Sequence, residues 1–265
     1  MWNRSDRRRW TLAATAIGIA ASCLLAACGR AAQPTKAGSA KSGAGAAASG
    51  PSACAAGQAG FMGGVTVPEE PAKGVETLSG NCWAKIAPTP IANVITSVGA
   101  GKIPGGKDPT LQVAWSPSAL YLKCTVYAWP LYASSTTAPW SDDACEFMVS
   151  GSAQRNGAFS PYAGQIGVAY NKPTPVLGSA GGSLTSLSGF TAQTQTQTGT
   201  GYMVELTVPW AQVGVSKAAK GQTYAFDAAV DYNNAQGQYV AYVDLSGTNH
   251  HPCCSTTSWT NLNLG

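Results

Sequence analysis

From Leu111 onward the chain is a succession of short runs in which apolar and polar residues alternate, each cut off by Gly, Pro, Ser or Asn. Alternation with period two sends successive side chains to opposite faces of a strand, and runs of this length between turn residues form antiparallel sheets. ALYLKCTVYAW (119–129) states the pattern most clearly: Leu120, Leu122, Cys124 and Val126 share one face, and Tyr121, Lys123 and Thr125 the other. LQVAWS (111–116) precedes it across Ser116-Pro117-Ser118, which reads as a hairpin. ACEFMV (144–149) sets Cys145, Phe147 and Val149 against Ala144, Glu146 and Met148. The series continues with GQIGVAY (164–170), FTAQTQTQT (190–198), GYMVELTVPW (201–210), TYAFDAAVDY (223–232), QYVAYVD (238–244) and SWTNLNL (258–264). The Gln/Thr repeat has no apolar face and suits an edge strand. PWAQVG, from Pro209, carries the one helical signal, a single turn opened by proline. The pattern predicts an all-β antiparallel sandwich and not a βαβ fold.

Ahead of that series the chain changes character twice. Residues 1–27 join a basic start (Arg4, Arg7, Arg8, Arg9) to an apolar run ending in LAAC, with Cys28 last. This order is that of an export signal, and LAAC resembles a bacterial lipobox, which implies lipidation of Cys28 and a tether to a membrane outside the cytoplasm. Gly29, not an acid, follows the cysteine, which favours the outer membrane if the cell has two. Loss of the signal removes four Arg and one Asp, so the formal charge falls from +4 to +1. The remaining Lys and Arg are scattered, which excludes a nucleic-acid partner. Residues 28–74 form an Ala/Gly/Ser-rich tether and a transitional piece, and the sandwich domain is expected over 75–265.

Six cysteines remain once Cys23 and Cys28 are set aside: Cys54, Cys82, Cys124, Cys145, Cys253 and Cys254. An even count in an exported chain points to disulfides. A Cys54–Cys82 tie would order the transitional piece. Cys124 and Cys145 both fall on apolar faces, and bridge if their strands are neighbours; otherwise they are two buried thiols. HHPCC (250–254) has zinc or copper ligand types, but an oxidising compartment favours disulfides, either Cys253–Cys254 or pairings with Cys54 or Cys82. DYNNAQG (231–237) offers Asp231 and Asn233 as structural Ca²⁺ ligands, without the EF-hand spacing or its final Glu. An Asn-rich turn is the plainer reading.

ALYLKCTVYA, PWSDDACEFMVSG, YMVELTVPW, GQTYAFDAAVDYNNAQGQ and the closing SWTNLNLG, in this order, resemble family 9 carbohydrate-binding modules. The resemblance covers roughly residues 78–265. It implies a β-sandwich of the CBM9/DOMON-like kind that binds a neutral oligo- or polysaccharide between two Trp rings, without catalysis, in a family that commonly accompanies xylanases. By motif Trp140 is the first ring, Glu146 the acid on the next strand and Trp259 the second ring, with Asp143 beside them. Indole faces suit the CH-rich faces of sugars, and a carboxylate accepts bonds from two hydroxyls. Residues 255–258 (STTS) stand where the family has an amide side chain, and no Arg lies between Gly157 and Lys172 to match its basic contact.

Three other readings follow from the residues. Asp142, Asp143 and Glu146 suggest a glycosidase dyad, but no second acid stands at a defined place across from them. A haem-binding sandwich of related topology would draw axial ligands from Met148, Met203, His250 or His251. A structural or adhesive envelope lipoprotein with a decayed sugar site is the third.

Overall fold

The computed structural model describes residues 53–57, 64–97, 103–134, 138–157, 162–178, 184–247 and 255–265, all within the unit Ala47–Gly265. Cys28, Cys253, Cys254, His250 and His251 lie outside the described residues. The expectation of an antiparallel sandwich holds, with two sheets packed face to face.

The hairpin read across Ser116–Ser118 is β4 (Thr110–Trp115) and β5 (Ala119–Val126), paired in register from Thr110 opposite Thr125 to Trp115 opposite Leu120. These two strands centre the five-stranded sheet. β2 (Thr89–Pro90) flanks β4; β10 (Gly201–Pro209) and then β9 (Thr191–Gln197) flank β5. The Gln/Thr repeat is β9, and it is an edge strand as its composition requires.

The second sheet has eight strands built around the longest, β11 (Thr223–Asn233). On one side of it lie β6 (Ala144–Val149), β7 (Gly164–Ala169) and β8 (Val176–Leu177). On the other side β11 is shared lengthwise: β13 (Thr260–Leu264) pairs with its first residues, and β12 (Tyr239–Asp244) with its last. β3 (Asn93–Ser97) extends β12, and β1 (Val65–Val67) runs parallel to β13.

The inner faces make the core. Leu120, Leu122, Cys124 and Val126 of β5, with Val204 and Leu206 of β10, meet Cys145, Phe147 and Val149 of β6 and Phe226, Ala228 and Val230 of β11. Burying a large aliphatic or aromatic side chain contributes about 1.5–3 kcal/mol, so these rows dominate the stability. Trp115 and Trp210 are both 1 % exposed, and Trp210 Nε1 donates to the Ser116 carbonyl at 2.9 Å, so both indoles are packing residues.

The fold departs from the sequence expectations in three places. Helical turns are more numerous than the one at Pro209: besides the 3₁₀ turn Trp210–Val213, there are α1 (Ala72–Val75) and 3₁₀ turns at Asn81–Lys85, Pro104–Gly106, Pro139–Ser141 and Thr256–Ser258. Each is too short to show a period in sequence. β1, β2, β3 and β8 also went unread: β1, β2 and β8 have only two or three residues, and the five of β3, NVITS, show no clean alternation of apolar and polar residues. The strands of Cys124 and Cys145 belong to opposite sheets, so they are not paired neighbours. Their sulfurs meet across the core as free thiols.

The Cys54–Cys82 disulfide does form, and fixes the segment before α1 to the outer face of the five-stranded sheet. There Val75, Cys82, Trp83 and Ile86 pack on Ala114, Ala119 and Tyr121. Gly74 presses on Cys82 Sγ so closely that no Cβ fits.

Candidate functional site

Glu146 is on the outer face of the eight-stranded sheet, the side of β6 turned away from the core. It is 1 % exposed. Gln165 Nε2 donates to its Oε1 at 2.8 Å, and the Tyr242 hydroxyl donates to Oε2 at 3.2 Å. Burial pushes the carboxyl up to about 7 against those two bonds. Asp231 lies on the same face, beside Glu146 and Tyr239. Burial, and then the charges of Glu146 and Asp143, push it well above the carboxylate range.

Trp259 lies on the same face and is 1 % exposed, in a cluster with Met148, Ala163, Ala225, Ala229 and Tyr242. Its place is set locally. Ser255 Oγ accepts from Thr257 N–H and caps the 3₁₀ turn that delivers Trp259 to β13. Arg155 Nη1 donates to the Trp259 carbonyl at 2.7 Å. Tyr242, which bonds Glu146 and shares the Trp259 cluster, links the acid to the ring. Neither is open to solvent in this state. Tyr239, 37 % exposed, meets Tyr242 edge-on with centroids 6.4 Å apart, and is the aromatic at the rim.

Trp140 is half-buried in the Pro139–Ser141 turn. Asn233 Nδ2, at the end of β11, donates to the Asp142 carbonyl at 2.7 Å and the Trp140 carbonyl at 3.4 Å, which fixes this turn against the sheet. Pro139 stands over Gly167, the residue opposite Glu146: a Cβ on Gly167 would come within 2.5 Å of Pro139 Cγ. A cavity of about 230 Å³ opens beside it, lined by Pro139, Asp142, Ala169, Lys172 and Val176. Lys172 Nζ and Asp142 Oδ2 form an ion pair at 3.0 Å in its wall.

Asp143, expected beside the sugar, is bonded to the backbone. Its Oδ2 accepts from Tyr132 N–H and its Oδ1 from Asn233 N–H, both at 2.8 Å. It clamps the 131–134 segment to the end of β11. Burial raises its carboxyl to about 6, and the two backbone bonds oppose the rise.

The DYNNAQG segment does not fit a calcium loop. Asp231 and Asn233 belong to β11, and Asn234 Oδ1 is taken by the N–H groups of Gln236 and Gln238, closing an Asx turn on itself. Calcium takes six to eight oxygens, and this segment does not converge them. Met148 and Met203 sit on the outer faces of different sheets, so they cannot share one iron.

Sequence reasoning missed Gln165, Tyr242 and Arg155. Alternation along β7 and β12 places the first two on the face of Glu146 once the strands are paired. Arg155, in a loop, left no pattern to read.

Over residues 77–264 the chain matches the family described as carbohydrate family 9 binding domain-like. Among solved structures it is similar to a family 9 carbohydrate-binding module from Caldicellulosiruptor kristjanssonii in complex with glucose. The TM-score is 0.61 and the identity 17 %, covering 76 % of this chain and 94 % of that one. The same organism's module in complex with cellotriose gives a TM-score of 0.61 and 16 % identity, covering 75 % and 92 %. No curated protein matches the sequence. Two sheets in the same arrangement, and a match that runs from just after α1 to the last strand, have one conclusion: the chain belongs to the carbohydrate family 9 binding domain-like family.

Proposed function

We propose that this domain binds a neutral oligo- or polysaccharide on the outer face of the eight-stranded sheet, as the non-catalytic module of a lipoprotein anchored through Cys28 outside the cytoplasm. The observation that carries the reading is Glu146: a carboxyl set among Gln165, Tyr242 and Asp231, on the face that also holds Trp259, in a chain of this family. The solved modules it resembles in fold hold glucose and cellotriose. Glu146 would accept from sugar hydroxyls, and Trp140 and Trp259 would flank the ring, with Asn233 holding the Trp140 turn in place and Asp143 fixing the 131–134 segment. Because Glu146 and Trp259 are each 1 % exposed, a sugar reaches them only if side chains on that face move. Its hydroxyls then take over bonds that Gln165 and Tyr242 hold.

The same burial, together with Pro139 over Gly167, favours a second reading, an envelope lipoprotein that keeps the fold with a closed site. Calorimetric titration of the purified protein with gluco- and xylo-oligosaccharides separates the two. Binding that Trp140→Ala weakens by at least about tenfold supports the first, since a buried aromatic anchor contributes about 2 kcal/mol or more. No heat with any sugar, or a Trp140→Ala protein that binds as before, leaves the second. Anchoring is tested separately: Cys28→Ser should move the protein from the membrane fraction to the soluble one.

A further inference from the structure

The Cys54–Cys82 disulfide has oxygen neighbours that a disulfide does not need. Glu70 is fully buried; its Oε2 accepts from Ala55 N–H at 3.2 Å, while Oε1 has no hydrogen-bond partner. A Glu70 carboxylate oxygen and the two sulfurs lie within 4.8 Å of one another. Asn81 Oδ1 stands 3.8 Å from Cys54 Sγ and 3.7 Å from Cys82 Sγ. Sulfurs bonded to each other carry no hydrogen, so these two oxygens and two sulfurs face one another with lone pairs alone. A cation at their centre would satisfy all four.

We propose that reduction of this disulfide creates a metal site, with Cys54, Cys82, Glu70 and Asn81 as ligands to a thiophilic divalent ion of the Zn²⁺ type. Tetrahedral zinc, with Zn–S of about 2.3 Å and Zn–O of about 2.0–2.2 Å, sets a ligand sulfur and a ligand oxygen roughly 3.6 Å apart. Asn81 Oδ1 already keeps that separation from both sulfurs. Two thiolates and a carboxylate bring three negative charges. The ion neutralises two, and Lys85 stands close enough to offset the third, its Nζ 3.5 Å from the Cys54 carbonyl. An open depression lined by Cys54, Lys73, Gly74, Asn81 and Lys85 gives an ion access.

The chemistry balances with an external dithiol or phosphine as reductant. The S–S bond breaks, the two sulfurs gain two electrons and two protons, and the reductant is oxidised by the same two electrons. The ion then displaces both thiol protons. Ligation takes the place of the covalent link, so the 54–82 loop stays tied in either state. This site is on the outer face of the other sheet from Glu146 and stands independently of the sugar reading.

The test uses the full chain, phosphine-reduced, titrated with Co²⁺ as a spectroscopic probe and with Zn²⁺. Reduced protein should take up one equivalent, with thiolate-to-cobalt charge-transfer absorption, that the oxidised protein does not. Cys54→Ser/Cys82→Ser should lack that equivalent against a common background of the other cysteines and histidines. Glu70→Gln and Asn81→Ala keep the disulfide for folding and, once reduced, should bind at least about tenfold more weakly. Zn²⁺ should also restore the Tm that reduction lowers. Equal stoichiometry in wild type and the double-serine variant, unchanged affinity in Glu70→Gln, or a reduced protein that Zn²⁺ does not restabilise overturns the proposal.

Discussion

Asp143 shows how an acid in a recognisable motif can serve the backbone. Both of its oxygens are filled by backbone N–H groups, the part-buried one of Tyr132 and the buried one of Asn233. Asp143→Ala leaves two donors without partners, at about 1–3 kcal/mol each. Urea unfolding should therefore show a loss of roughly 2–6 kcal/mol. Asp143→Asn, which keeps one acceptor, should lose about half as much. That role was not legible in the sequence, because a carboxylate that accepts from the backbone and one that accepts from a ligand have the same neighbours along the chain. Glu146 was legible as an outward-facing acid in an alternating strand. Its burial was not, since that depends on Tyr242, which lies 96 residues later and reaches it only after β11 and β12 have paired.

At the scale of elements, alternation made β4, β5, β6, β7, β9, β10, β11, β12 and β13 readable, because each is long enough to repeat its pattern. Which strand joins which sheet was not readable from local pattern. Cys124 and Cys145 could therefore be placed on apolar faces, while pairing alone decides whether those faces belong to one sheet or two. Outer-face polarity hid a second acid. Glu205 of β10 sits opposite Lys123 in register; its Oε1 accepts from Thr207, and its Oε2 has no partner. Burial, with Glu76 adding repulsion, raises its carboxyl to about 8. A raised folded-state value means that folding takes up a proton. The contribution is complete below the ordinary carboxylate value near 4.5 and is lost as pH rises through about 8. Glu205→Gln should flatten the fall in Tm between those limits, and the variant should be the more stable protein above pH 8. A scan of Tm against pH for both proteins checks the slope.

At the scale of the molecule, class and architecture were legible, because an all-β alternation with turn residues between runs has few packed solutions. The Cys54–Cys82 pairing emerged as an expectation because it gave a loop-like stretch a reason to be ordered, and the structure contains it. It closes a loop that holds β1 and α1. That closure sets the route by which mechanical load enters the domain. A pull on the chain ahead of Cys54 crosses the disulfide to Cys82 and bypasses the three-residue strand β1, whose pairing with β13 would otherwise be the first to shear. Stretched between its ends in a force spectrometer, the oxidised protein should withhold the loop between the sulfurs, a sequence separation of 28, from its extended length. Reduction should release it as about 90–100 Å of extra contour. If the chain is anchored through Cys28 as proposed, this cross-link works as a strain relief: a pull from the anchor is delivered past the sheet edge, and the Glu146 face behind it keeps its register.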